Sequence, residues 1–550
     1  MIVLGLNGGY LHDASACIVK DGELIAFAEE ERLTKLKHAF GQIPIHALLY
    51  CLNKAKLSIN DIDSIGTAWI TEVLNANTVK NLLSHPAILC RKKIPVNQYD
   101  HHLAHGAAGY YTSGFDKALV LVVDGNGENI GVTIAYGNGS RLEVLKTYDT
   151  SQSLGFFYTG VGNYLGFKMF DEGKMMGLAS YGTPKYSFPI ELTADGYSIP
   201  FSPVDTKDGQ LLSSVITKKW LHWMLKEHGE YSNSNTSYSM NNMTGYIGKN
   251  PIIFDQKAKD IAASAQNTLE TVLLHLIKIY TEKLNCKNVV ISGGVALNCS
   301  ANGRIQQSGL VDDLYVIPAP NDGGVCIGAA MLETVRQASF TKKRLPTPYW
   351  GSTYNNDEIK TLLDKYNLKY EYVDNITERG AELLADNEIL GWFQGASEMG
   401  PRALGNRSII ANPINYKNLI RVNNEVKYRE EWRPLAPSLL DEERAWLLEN
   451  DSYSPYMLKA FKVKEEVREK VPAIVHVDYS TRPQTVRRED NPVWHNLIKN
   501  FYKLTGAPLV LNTSLNVQGK PICESPYDAL QTFFLSGMDK LVIGNYILSK

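Results

Sequence analysis

Residues 118–136 read A-L-V-L-V-V-D-G-N-G-E-N-I-G-V-T-I-A-Y. An apolar run of strand length enters a glycine-broken turn and returns as a second run rich in Val, Ile and Thr, the pattern of a buried hairpin. The N-terminus carries the same arrangement: I-V-L-G-L, then N-G-G-Y-L-H-D, then A-S-A-C-I-V, D-G and E-L-I-A-F-A, ending at the acidic run E-E-E-R of residues 29–32. Two such hairpins predict two related α/β lobes facing each other across a cleft. Farther along, N-V-V-I-S-G-G-V-A-L-N (288–298) follows an apolar-periodic stretch near 258–284 that predicts a long helix. D-L-Y-V-I-P-A-P-N-D-G-G (313–324) then predicts another strand, broken by proline and glycine and opening a helix.

The stretch 196–255 is rich in Ser, Asn, Tyr and Met and shows no clear period. It is read as an insertion with loops, a natural place for acceptor recognition. Prolines in K-R-L-P-T-P-Y-W-G-S (343–352) mark a linker, so a first domain is expected over 1–345 and a second over 352–550. In the second, short strands (I-L-G-W-F-Q-G, P-L-V-L-N-T-S) alternate with helices.

Bulk composition excludes several classes. The 550 residues exceed what one hydrophobic core organises, and 44% hydrophobic with 21% charged residues is a globular make-up. A formal net charge of -2 without a long basic run argues against nucleic acid as an obligatory partner and for a small molecule. Seven scattered cysteines without C-x-x-C indicate neither a disulfide framework nor a zinc ribbon. No apolar run approaches membrane-spanning length and no signal peptide is evident, so no membrane partner and a cytoplasmic location are expected.

Y-D-H-H-L-A-H-G-A (99–107) places His101 and His105 four apart, on one face if the segment is helical, while His102 points elsewhere. Asp124 and Asp322, each at a strand end beside glycine, could complete a nitrogen-and-oxygen set suited to iron, manganese or zinc. Solvated or capping histidines are the plain alternative. Glycine loops at D-G-N-G-E, S-G-G-V-A-L-N and N-D-G-G-V-C-I-G follow apolar strands, so Gly127, Gly293, Gly294, Asn298 and Gly323 are candidates for cradling nucleotide phosphates. Tight strand-to-helix turns use glycine regardless of ligand. His12, followed by Asp13, is either a general base facing the cleft or a turn histidine making local bonds. In the second domain, G-P-R-A-L-G-N-R-S-I (400–409) and R-V-N-N-E-V-K-Y-R-E-E-W-R-P-L-A-P (421–437) carry cations that could converge on a polyphosphate or adenylate or form surface pairs with neighbouring glutamates.

These segments, with L-H-D-A-S-A, E-E-E-R-L-T-K-L-K-H, K-M-M-G-L-A-S-Y-G, H-V-D-Y-S-T-R-P-Q-T-V and L-N-T-S-L-N, closely resemble the NodU-type O-carbamoyltransferases over nearly the whole chain. One departure is Ser180, where relatives commonly carry proline. The resemblance implies an N-terminal actin/sugar-kinase-like, threonylcarbamoyladenosine-transferase-like domain followed by a YrdC-like α/β domain. It implies ATP and carbamoyl phosphate as cosubstrates, carbamoyl adenylate as intermediate and a small-molecule hydroxyl as acceptor. By position in the matching motifs, Arg402, Lys427, Arg433, Arg482 and Ser514 would line the adenylate-forming site, with Asn512 and Arg407 as neighbours. The same resemblance assigns His101, His105, Asp124 and Asp322 to a metal, Fe2+ or another divalent ion with Mg2+ a further candidate, and His12 to the acceptor's proton. A closed passage between the domains is expected, because free carbamate decomposes readily in water. The oligomeric state is left open, a homodimer among the options. Competing readings are an actin-fold small-molecule kinase, a threonylcarbamoyl-type tRNA-modifying enzyme and a nonenzymatic ATP sensor.

Overall fold

The computed structural model describes residues 1–8, 12–70, 76–203, 212–231, 254–337 and 342–550. The chain forms two compact units, one of Met1–Thr34 with His38–Pro346, the other of Lys35–Lys37 with Thr347–Lys550.

The first unit is built twice on one plan. One five-stranded sheet runs Glu23–Glu29, Ser15–Lys20, Ile2–Asn7, Ser64–Thr67, Val96–Gln98; the other runs Arg141–Asp149, Ile130–Asn138, Lys117–Gly127, Asn288–Ser292, Asp313–Val316. Each therefore orders its strands third, second, first, fourth, fifth. In each, three antiparallel strands lead and two parallel strands follow. Parallel strands need a crossover. The second crossover contains Gln256–Leu284, the long helix expected from its apolar period. The two related α/β lobes expected from the paired hairpins are present.

The lobes are interlocked by their last helices. The His101–Ser113 helix follows the first sheet's last strand but packs on Lys117–Gly127 and Asn288–Ser292 of the second. The Val325–Gln337 helix follows the second sheet and packs on Ile2–Asn7, Ser15–Lys20 and Ser64–Thr67 of the first. These helices also pack on each other, so closely that a Cβ on Gly328 would lie 1.7 Å from the Ala104 carbonyl oxygen. This exchange brings together strand ends and helix starts that are far apart in sequence.

The 196–255 stretch differs from its reading as loops. Leu212–His228 is a helix, and its buried Ile216, Trp220 and Met224 recur every four residues, the stripe that packs it on Leu154–Tyr164. Polar neighbours diluted that period in the sequence. Residues 204–211 and 232–253, where half of the stretch read for acceptor recognition falls, lie outside the described residues.

The second unit centres on an eight-stranded mixed sheet, ordered Glu371–Tyr372, Tyr546–Ser549, Lys540–Ile543, Leu390–Phe393, Arg407–Ala411, Leu509–Ser514, Ala436–Leu440, Gln484–Val486. Trp392, Trp494, Phe501 and Phe533 fill its core. All seven cysteines are free thiols. Among the described residues no helix is long and apolar enough to cross a membrane.

Candidate metal centre and a cation-lined site

The His101–Ser113 helix starts where it does because Asp100 caps it, accepting from the Leu103 amide at 2.8 Å, while Glu128 accepts from the His101 amide at 3.2 Å. Its first turn is thereby held against the turn that begins at Glu128. His101 and His105 project on one face, their rings edge to face at 4.6 Å, and Trp69 lies 3.9 Å from the His101 ring. Asp322 enters from the turn before the Val325–Gln337 helix and Asp124 from the bulge of the second lobe's hairpin.

The four side chains are buried and offer ligand atoms within 4.8 Å of one another. His101 Nε2 lies 3.5 Å from Asp322 Oδ1 and 3.7 Å from Asp124 Oδ2; His105 Nε2 lies 3.3 and 4.0 Å from the same atoms. Donors about 2.0–2.2 Å from a common cation stand roughly 3–3.5 Å apart, close to this spacing. Both ring nitrogens of His101 are buried without a hydrogen-bond partner among the described residues. Buried polar atoms left without a partner are costly, and a cation would satisfy Nε2. The set holds no thiolate and offers two imidazoles, which ligate in their neutral form, with two carboxylates, donors that suit iron, manganese or zinc and would neutralise a dication.

The charges of the cluster act on one another at this close range. Burial lowers His101, but the Asp322 and Asp124 carboxylates raise it to about 10. Burial raises Asp322 and Asp124, yet the histidines hold both below the usual carboxylate range. His102 faces the other way, with Nδ1 3.2 Å from Thr133 Oγ1, and burial drives it down to about 3.

The candidate phosphate glycines lie against this cluster. A Cβ on Gly127 would stand 2.3 Å from His101 Cδ2, and the Gly294 amide donates to Asp124 Oδ1 at 2.7 Å. Gly293, at φ +91°, passes close to the Val123 carbonyl, and Gly323 faces Glu29. Asn298 caps the Cys299–Gln306 helix and exchanges amide hydrogen bonds with Gln266. What these positions demonstrably do is allow close approach around the histidines and aspartates.

His12 borders the centre. Its Nδ1 is 3.2 Å from Asp13 Oδ2 and 3.9 Å from Asp322 Oδ2. Burial lowers its pKa, but the Asp13 hydrogen bond and the charges of Asp322 and Asp124 raise it to about 9. Asn7 ties the first lobe to the centre, donating to the carbonyls of Asp322 at 2.8 Å and Asp13 at 3.0 Å.

In the second unit the buried Lys427 Nζ donates to the Ser514 and Asn516 carbonyls at 2.7 and 2.9 Å, and contacts Asn516 Oδ1 and Ser514 Oγ at 2.6 and 3.1 Å. Burial pushes its pKa far down, helped by the charges of Arg429 and Arg433. Arg429 is depressed by burial and by Arg433 and Arg482. Guanidinium groups do not deprotonate in water, so crowding them creates a strong field for an anion. Ser514 ends the strand Leu509–Ser514. Arg402 is half-buried on a loop organised by Glu398, whose Oε1 accepts the amides of Leu404, Asn406 and Arg407.

Two of the sequence candidates are engaged within the fold. Arg407 is fully buried, donates to the carbonyls of Gln394, Gly395, Asn406 and Ser352, and stacks 3.6 Å over Phe393. Asn512 donates to the Ala403 carbonyl and Ser438 Oγ.

Comparison with known proteins then decides the family. The model of the carbamoyltransferase N-terminus matches residues 2–77 and 66–331, and that of the carbamoyltransferase C-terminus matches 381–550. The chain belongs to the carbamoyltransferase family. The nodulation protein NolNO of Sinorhizobium fredii is 34% identical, the match covering 100% of this chain and 83% of that protein. NolO of Bradyrhizobium diazoefficiens is 36% identical over 82% of this chain and 79% of its own length. Among solved structures, HypF of T. kodakarensis is a distant likeness at 14% identity and TM-score 0.35, covering 61% of this chain and 48% of that one.

Within this carbamoyltransferase, sequence pattern alone did not single out Asp13, His38 or Asn516. Arg429 and Asn516 sit inside quoted motifs, two residues from Lys427 and Ser514, and a spacing-of-two rule at a strand end would have flagged Asn516.

Proposed function

We propose that this carbamoyltransferase makes carbamoyl adenylate from carbamoyl phosphate and ATP, and passes the carbamoyl group to a hydroxyl of a small molecule, as in natural-product tailoring. Carbamoyl phosphate loses its phosphate to water, giving carbamate and inorganic phosphate. A carbamate oxygen attacks the α-phosphorus of ATP, forming the P–O bond of carbamoyl adenylate as pyrophosphate leaves. The acceptor hydroxyl attacks the carbamoyl carbon, its proton is taken up by His12, and AMP departs.

The observation that carries this reading is that one carbamoyltransferase chain holds two differently built sites, a buried His101–His105–Asp124–Asp322 cluster and a group of crowded cations around Lys427. Lys427, Arg433 and Arg482, with Arg402 and Ser514, would offset charge on carbamoyl phosphate and ATP in the C-terminal, YrdC-like unit. Asn512 would hold the strand that presents Ser514, and Gly127, Gly293, Gly294, Asn298 and Gly323 would shape the transfer site. A divalent cation, Fe2+ the first candidate, would be held by the two histidines and two aspartates and would supply Lewis acidity toward the carbamoyl oxygen. Offsetting the Asp322 and Asp124 charges would also remove part of what raises His12, the Asp13 hydrogen bond remaining, and so would move it toward accepting a proton.

The test incubates the protein with ATP, carbamoyl phosphate and ferrous iron and follows pyrophosphate and AMP with and without hydroxyl acceptors. Pyrophosphate that depends on carbamoyl phosphate, with AMP rising when an acceptor is added, is the expected result. ADP with a phosphorylated acceptor, or nucleotide turnover indifferent to carbamoyl phosphate, would overturn it.

A further inference from the structure

His12 does not stand alone. Asp13 accepts from His12 Nδ1 at 3.2 Å through Oδ2 and from His38 Nδ1 at 3.0 Å through Oδ1, so one carboxylate bridges two imidazoles. Asn321, next to Asp322, donates to Asp13 Oδ2 at 3.2 Å. Backbone bonds fix the same group: the Asp13 amide donates to the His38 carbonyl at 2.6 Å, and the His38 amide donates to Glu31 Oε2 at 2.7 Å. The His38 ring stacks on Phe170 at 4.3 Å and 25°, while Phe170 and Phe40 meet His12 edge-on at 5.1 and 6.0 Å.

The backbone here is held in unfavourable conformations. Asp13, His38, Ala39 and Phe170 all lie in the left-handed region, at φ 54°, 64°, 43° and 68°. Residues with a Cβ avoid this region, and an aromatic there is an outlier. Four such residues around one imidazole locate strain at a point where it fixes geometry.

We propose that Asp13 and His38 are positioning residues for carbamoyl transfer: Asp13 holds His12 through Nδ1 so that Nε2 is presented to the acceptor, and His38, stacked on Phe170, holds Asp13. This rests on the reading of His12 as the group that takes the acceptor's proton. An imidazole whose Nδ1–H is fixed on a carboxylate has one tautomer and one orientation when neutral, which is what a proton acceptor at Nε2 requires. The Glu31 contact gives the acidic run before His38 a task in this chain of contacts.

Two substitutions separate the hydrogen bond from the packing. His38→Phe keeps a ring against Phe170 and removes the donor to Asp13; His38→Asn keeps a donor near the Nδ1 position and removes the ring. With a competent acceptor, His38→Phe is expected to lower kcat for transfer about 10- to 100-fold while acceptor KM stays within about twofold, and His38→Asn to recover most of that loss. A packing role predicts the reverse order. His38→Phe at the wild-type rate, or His38→Asn no better than His38→Phe, would overturn the inference. A second measurement needs no substrate: the Nδ1 protons on Asp13 should give downfield proton resonances, and His38→Phe should remove one and shift the other. If those resonances couple but the wild-type protein transfers no carbamoyl group, the functional reading falls and the bridge stands. If transfer occurs and the His12 resonance ignores His38, the bridge falls and the functional reading stands.

Discussion

Gly294 donates its backbone N–H to Asp124 Oδ1 at 2.7 Å, which leaves Oδ2 of the same carboxylate turned toward His101 and His105. A metal-binding carboxylate is commonly fixed in this way, one oxygen on the protein and the other toward the ion. A strand from one hairpin and the turn after another strand therefore cooperate to aim a single oxygen.

Gly127 tests how tightly the centre is packed. Gly127→Ala puts a methyl group 2.3 Å from His101 Cδ2 and 2.8 Å from His102 Cδ2, and both rings are fully buried. Metal affinity, read by titration with Fe2+ or Zn2+, should fall roughly 10- to 100-fold. Affinity equal to wild type would mean that the histidine geometry does not depend on this close approach.

His102 serves as the internal control for its neighbours. His101→Ala and His105→Ala should each abolish stoichiometric metal binding, measured by elemental analysis after gel filtration. His102→Gln should keep the metal and lose about 1–2 kcal/mol of stability from the buried contact with Thr133. Metal lost equally from all three variants would place His102 in the centre as well.

Lys427 and His12 are assigned to different steps. Lys427→Ala should lower pyrophosphate formation at least about 1000-fold, and Lys427→Arg should not rescue it, because four oxygens close on one ammonium there. His12→Gln should block transfer to the acceptor while pyrophosphate is still formed. Loss of both steps in both variants with folding intact would show that the duties are not separate.

Asp260 carries a pH-dependent part of the stability. Burial acts to raise its pKa, but hydrogen bonds from Lys185, the Thr183 amide and Gln256 bring it to about 2, against 3.8 for the free group. Its folded pKa is depressed, so the stabilisation is complete above pH ~4 and is lost as pH falls toward ~2. At pH 7, Asp260→Asn should cost about 1–2 kcal/mol. The gap between variant and wild-type denaturation midpoints should close across that acidic window. A gap independent of pH would assign the loss to packing alone.

Much of the fold was legible because its signals are local. Hairpins declare themselves through apolar runs around glycine turns, and the four-residue spacing of His101 and His105 fixes a shared face once the segment is helical. The Leu212–His228 helix was not legible, since its apolar stripe of Ile216, Trp220 and Met224 is narrow and flanked by lysines and serines. The inward bonds of Arg407 and Asn512 were equally hidden: nothing in their motifs tells that this cation and this amide donate to carbonyls and a hydroxyl of the sheet and loops around them.

By itself the sequence settled the α/β class, the doubled hairpin and the kinds of side chain available for a nitrogen-and-oxygen cation centre. Only tertiary structure decided that His101 and His105 from one lobe would meet Asp124 and Asp322 from the other, and that Asp13 would bridge His12 to His38. The physical reason is the exchange of final helices between the two sheets: a strand's own pattern records which face is buried, but not which distant helix will cover it.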